Sequence, residues 1–93
     1  MTTPENQVKQ QCKDYLNILH IFHFGILQGL GAHPGLPDRI MHLNGQVHYL
    51  EIKRLGGKLS EHQRNFQEQC LEDNIPYHVI DQVEDLIDVI ARD

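Results

Sequence analysis

Two short runs of alternating residues meet at Asn44-Gly45, and that pair constrains the fold more than any other feature of the chain. A two-residue type I′ turn needs positive φ at both central positions, which Asn and Gly tolerate and most pairs do not. The pair predicts a hairpin, with Arg39 to Leu43 leading in and Gln46 to Lys53 leading out. Along the second strand, Val47, Tyr49, Glu51 and Lys53 share one face, and His48, Leu50 and Ile52 share the other. Two charged residues side by side on a central strand call for a reason, because unpaired charge is costly to bury. Asp38 stands where the first strand begins, so antiparallel pairing brings it to the same end as Glu51.

The flanking segments carry their own signals. Thr3-Pro4 suits a helix start, with Thr as N-cap and Pro at the first helical position. Val8, Cys12, Tyr15, Leu16 and Leu19 then recur at helical spacing. Ile21 to Phe24 is aromatic and β-branched and reads as a short strand fading near Gly25. Gly29, Gly31, Pro34, Gly35 and Pro37 make the next stretch a loop. After the hairpin, Gly56-Gly57 breaks the chain, and Ser60 with Gln63 has the form of a capping box opening a helix that buries Phe66 and Cys70. Asn74-Ile75-Pro76 ends that helix, Tyr77 to Ile80 reads as a strand, and Val83, Leu86, Ile87, Ile90 and Ala91 stripe a last helix. The order αβββαβα predicts an α/β sandwich, a mixed sheet flanked by helices.

At 93 residues the chain reads as one domain, of a size that gains from a partner. No apolar run approaches the ~20 residues of a membrane span, and the start lacks the pattern of a secretory signal. Two cysteines without C-x-x-C spacing suit reduced thiols and an intracellular protein. The formal net charge of −5 opposes a nucleic-acid partner at first sight. Its distribution reverses that. Arg39, Lys53, Arg54, Lys58 and Arg64 give a basic centre, whereas the stretch from Asn65 onward is acidic. Arg54, Lys58 and Arg64 are the expected DNA contacts, with the acidic last helix facing away; a solvated helix face explains the acids equally well.

Asp38 and Glu51 at close range are hard to ionise together unless a cation sits between them. Carboxylate oxygens suit Mg²⁺ or Mn²⁺, which keep several waters and need only one or two protein carboxylates. The Ile52 carbonyl is a further oxygen candidate. Lys53, on the face of Glu51, can hold an attacking water or a phosphate as a compact charge. A metal, a water, a phosphate and a lysine suffice for phosphodiester hydrolysis. A solvated Glu-x-Lys face is the ordinary alternative.

Gly35-Leu36-Pro37-Asp38, Glu51-Ile52-Lys53, Gly57-Lys58-Leu59-Ser60 and Gln63 together resemble the VRR-NUC family (virus-type replication–repair nuclease) of the PD-(D/E)xK superfamily. The resemblance runs from Glu5 to Ile90. It implies a metal-dependent nuclease with an αβββαβ core, and a stand-alone minimal copy of the kind found in phages, working in the host cytoplasm. It implies Asp38 and Glu51 as metal ligands, Lys53 as the catalytic lysine, Gln63 near the metal, and Glu5 as an acidic residue of the first helix. The stretch from His23 to Gly31 departs from the Arg-Asn type segment of that family. Gln63 also has a capping role open to it, and Glu5 a helix-dipole role.

The seven histidines suggest zinc, but no pair has convincing ligand spacing. Gly56-Gly57-Lys58 lacks the Walker spacing and reads as a flexible turn offering Lys58 to a phosphate backbone. Three functions stand at this point: a Mg²⁺- or Mn²⁺-dependent endonuclease for branched or junction DNA, a catalytically silent DNA-binding module of the same fold, and a protein-interaction domain. A homodimer is expected, since two sites about a two-fold axis suit symmetric incision.

Overall fold

The computed structural model describes residues 3–93 and places three helices on a four-stranded sheet. In chain order these are α1 (Glu5–Ile18), β1 (His23–Gly25), β2 (Arg39–Leu43), β3 (Gln46–Ile52), α2 (Glu61–Glu72), β4 (Tyr77–Ile80) and α3 (Val83–Arg92). The sheet order is β1-β2-β3-β4, antiparallel except for the parallel pair β3/β4. A parallel neighbour requires a crossover, and α2 provides it. The αβββαβα sandwich is therefore as expected. Among the described residues no helix is long and apolar enough to cross a membrane.

Asn44 and Gly45 take φ of 51° and 78°, the left-handed values a type I′ turn demands. The hairpin register pairs Leu43 with Gln46 and runs to Arg39 opposite Leu50. Met41, Leu43, Leu50, Ile52 and Ile80 turn to one face and close a core with Val8, Cys12 and Leu16 of α1 and Leu86 and Val89 of α3. On the opposite face Phe66 of α2 packs edge-on against Tyr49, with ring centroids 5.2 Å apart. Both cysteines are buried free thiols.

Helix ends explain where the sequence reading slipped. The N-cap of α1 is Pro4, not Thr3, and no side chain caps it; the Pro4 carbonyl accepts from Val8 at 3.1 Å instead. At the other end His20 adopts φ 57°, and the Ile21 N–H donates to Leu16 at 3.0 Å. That bond is a Schellman closure, so Ile21 belongs to the helix stop and β1 begins two residues later than expected. Leu19, expected on the buried stripe, is the exposed C-cap. Asn74 repeats the closure on α2, with Ile75 donating to Cys70 at 2.9 Å. In α3 the buried pair is Leu86 and Val89; Ala91 is exposed, because three residues rather than five return a helix to the same face. His48 is buried against His78, ring nitrogens 2.9 Å apart.

Candidate active site

Asp38 is the last residue before β2, and its backbone N–H donates to the Leu50 carbonyl at 3.0 Å. Leu50 is already the partner of Arg39, so Asp38 and Arg39 both face it in the manner of a β-bulge, and Asp38 stands at the end of the ladder near Glu51. The Asp38 carboxylate then reaches across the strands, accepting the Ile52 N–H on Oδ2 at 2.7 Å. Gly35 seats the preceding loop. It takes φ 79°, and a Cβ there would overlap the His62 carbonyl, so loop and α2 backbone touch three residues before Asp38.

Glu51 is 2% exposed, and its Oε1 has no hydrogen-bond partner. Burial pushes its carboxyl up to about 8, helped by hydrogen bonding to Asp38 and by Asp38's charge, while Lys53 opposes the rise. Lys53 Nζ lies 3.9 Å from Glu51 Oε2, and the lysine backbone is fixed by its N–H on the Ile80 carbonyl at 2.8 Å. Gly57 folds back against Lys53; its N–H donates to Arg54 at 2.8 Å. The Gly56-Gly57 segment is thus a hydrogen-bonded turn, at the place where the glycine pair predicts one. The Tyr77 hydroxyl is also buried without a partner, and its ionisation is held up by burial and then by Glu51.

The structure brings Asp38, Glu51 and Lys53 together. Glu5 joins indirectly: Lys9 Nζ lies 3.3 Å from Glu5 and 3.4 Å from Asp38. Burial works against the Lys9 ammonium, but Asp38 and Glu5 more than compensate, so its pKa is raised. Lys9 was missed in the sequence, although its i, i+4 spacing from Glu5 is a readable ion-pair signal. Gln63 closes the capping box: its side chain accepts from the Ser60 N–H at 2.8 Å, and its own N–H donates to Ser60 Oγ at 3.2 Å. Arg54, Lys58 and Arg64 are exposed, with Arg64 tied back to the Leu59 carbonyl at 2.9 Å.

Among the described residues no three His, Cys, Asp or Glu side chains converge in a ligand arrangement. The oxygen donors at hand are the Asp38 and Glu51 carboxylates, with Ile52 lining the same cleft as Asp38. A divalent ion that retains most of its water fits such a donor set. The orphaned Glu51 Oε1 is the observation for that fit, because a buried acceptor without a partner is costly until something donates to it or ligates it. The chain matches no family model, no curated protein and no solved structure. Its likeness to VRR-NUC nucleases rests on the motif residues alone.

Proposed function

We propose that the chain is a metal-dependent DNA endonuclease that hydrolyses phosphodiester bonds, with branched or junction DNA as the preferred substrate. The observation that carries this is the buried Glu51 beside Asp38, with an unpartnered oxygen and a lysine at 3.9 Å. Such an arrangement has no purpose in packing, since an apolar residue would fill the site at lower cost. Asp38 and Glu51 would hold Mg²⁺ or Mn²⁺, with the Ile52 carbonyl and Glu5 as further oxygens. Bound there, the ion supplies charge stabilisation at the phosphate and lowers the pKa of a coordinated water. Lys53 would orient the attacking water or the scissile phosphate, and Glu51 would ligate as the carboxylate, its proton passing to solvent. Gln63 fixes the start of α2, against which the Asp38 loop is seated. Arg54, Lys58 and Arg64 offer exposed charge to the DNA backbone. DNA as substrate implies an intracellular setting, the host cytoplasm for a phage protein.

One observation favours the silent DNA-binding module instead. The Lys9 ammonium bridges Glu5 and Asp38, giving the carboxylates an internal counter-charge. A single assay separates the readings: labelled single-stranded, duplex, flap and four-way DNA, each incubated with EDTA, Mg²⁺ or Mn²⁺. Metal-dependent cutting strongest on a branched substrate is the expected result. DNA binding with no cutting under any metal overturns the nuclease in favour of the module.

The working unit is a homodimer on this reading. β1 is a sheet edge, and Phe22 and Phe24 stand exposed along it with rings 5.8 Å apart. An edge strand with exposed aromatic side chains is a template for pairing with a second copy.

A further inference from the structure

A cleft of about 350 Å³ opens beside Asp38, lined by Asn6, Lys9, Gln10 and Lys13 of α1 with Arg39 and Ile52 of the hairpin. Three cations in one small cleft are unexpected in a chain of net charge −5. Lys9 is accounted for by Glu5 and Asp38. Lys13 and Arg39 are not: both are partly buried, and among the described residues neither forms a salt bridge. Asp38, in the same cleft, favours the Arg39 charge from a distance without pairing with it, so Lys13 and Arg39 retain the capacity for an anion of their own.

Arg39 is also held in place. Its Nε donates to His23 Nδ1 at 2.9 Å, which makes Nδ1 the acceptor and puts the ring proton on Nε2. Nε2 then donates to Asn17 Oδ1 at 2.6 Å. Burial, followed by the charges of Arg39 and Lys13, lowers the His23 pKa and keeps the ring in that neutral form. Gly25 leaves room for the guanidinium, since a Cβ there would stand 3.3 Å from Arg39 Nη1. The chain Asn17–His23–Arg39 uses up Nε and leaves the paired Nη groups for a planar, two-oxygen acceptor.

We infer that Lys13 and Arg39 form a seat for a backbone phosphate of the bound nucleic acid, next to the scissile phosphate at the Asp38, Glu51 and Lys53 site. The Asn6 amide at the cleft supplies a neutral donor to the same strand, while the Gln10 amide is already engaged, donating to Asp14 Oδ1 at 2.8 Å. Arg39 fixes the register of the strand, Lys13 adds charge, and His23 acts as a positioning residue through Arg39. The choice of a nucleic-acid phosphate as the anion rests on the nuclease reading; the built cationic cleft does not. The sequence concealed the seat because Lys13 and Arg39 are 26 positions apart and come to one cleft only when α1 packs on the sheet.

The test measures binding, not cutting. Fluorescence anisotropy with labelled single-stranded and duplex DNA in Ca²⁺, over a series of salt concentrations, is run on the wild type, Lys13→Gln and Arg39→Gln. Each variant is expected to weaken affinity about tenfold at low salt, as for removal of one charge-assisted hydrogen bond. The slope of log Kd against log salt should fall by roughly 0.9 for duplex and 0.7 for single strands for each phosphate no longer held. Thermal melts check folding; should Arg39→Gln melt early, Lys13→Gln, which lies outside the hydrophobic core, carries the test alone. Folded Lys13→Gln with wild-type affinity and slope overturns the seat, and so does a wild type that does not bind DNA. If the variants lose slope but the wild type never cuts DNA, the seat stands and the nuclease reading falls. If the wild type cuts and Lys13→Gln binds unchanged, the reverse holds.

Discussion

The Asp38 carboxylate accepts the Ile52 backbone N–H at 2.7 Å, so a side chain at the start of β2 is tied to the end of β3. One oxygen serves the sheet, and the other lies 3.4 Å from Lys9 at the cleft. Asp38 therefore has two jobs, and substitutions should separate them.

Asp38→Asn keeps an oxygen for the Ile52 N–H but loses a charge, whereas Asp38→Ala loses both. Cleavage should fall by at least ~100-fold in either, since even indirect partners of a metal cost 10–100-fold when removed. Melting should separate the two, with Asp38→Ala less stable by about 1–2 kcal/mol and Asp38→Asn near wild type. Lys53→Ala should retain metal binding by titration calorimetry yet cut at least ~100-fold more slowly. A Lys53→Ala protein that cuts at the wild-type rate removes the lysine from the site.

Glu51 sets a pH dependence of unusual sign. Its carboxyl is raised from the ordinary 4.5 to about 8 in the folded protein without metal. The folded state thus holds a proton that the unfolded chain releases, and this group's contribution is fully present below about 4.5 and lost as pH rises to about 8. Glu51→Gln removes the titrating group while keeping its shape. The difference in melting temperature between Glu51→Gln and wild type should therefore grow in favour of the variant as pH rises through this window. Mn²⁺ or Mg²⁺ should stabilise the wild type more at pH 8 than at pH 5, because the ion replaces the proton, and should leave Glu51→Gln nearly unmoved. A difference that stays flat with pH would falsify the buried-proton account.

Gly35 ties the loop to α2, and Gly35→Ala tests that tie. The backbone there has φ 79°, and a Cβ meets the His62 carbonyl with no flexible side chain to move aside. Stability should drop by about 1–3 kcal/mol. Because Asp38 is only three residues on, cutting should fall even at temperatures where the variant is fully folded. Full activity in a folded Gly35→Ala protein would show that the loop's seat does not position Asp38.

These relationships were unequally legible in the sequence. The hairpin was readable because Asn44-Gly45 encodes its turn locally, and strand alternation then placed Glu51 and Lys53 on one face. The helix of Ser60 and Gln63 was readable for the same reason, through a capping box spanning four residues. What depended on tertiary packing was hidden. Lys9 reaches Asp38 only because α1 lies across the mouth of the hairpin, and His48 meets His78 only through the parallel pairing of β3 with β4. The shift of β1 had a local cause, but one with no composition signal: His20 has no glycine's freedom, yet it takes the left-handed conformation that closes α1.

The sheet edge at β1 predicts assembly. Phe22 and Phe24 are 61% and 43% exposed, and Ile18 and Leu19 at the end of α1 are exposed as well. Monomers seldom leave apolar side chains so concentrated beside an unpaired strand, because the edge invites aggregation unless it is charged, bulged or covered. A second copy related by a two-fold axis would cover both edges at once and set two cleavage sites on one branched substrate. Light scattering at micromolar concentration should give about twice the 10.8 kDa mass of one chain. Phe22→Asp should return the mass to that of a monomer without lowering the helix content, since Phe22 lies outside the core. The variant should still nick single strands or flaps, because each site is complete within one chain, but should lose paired incision of four-way DNA. A wild type that scatters as a monomer with and without junction DNA removes the dimer, and paired incision with it.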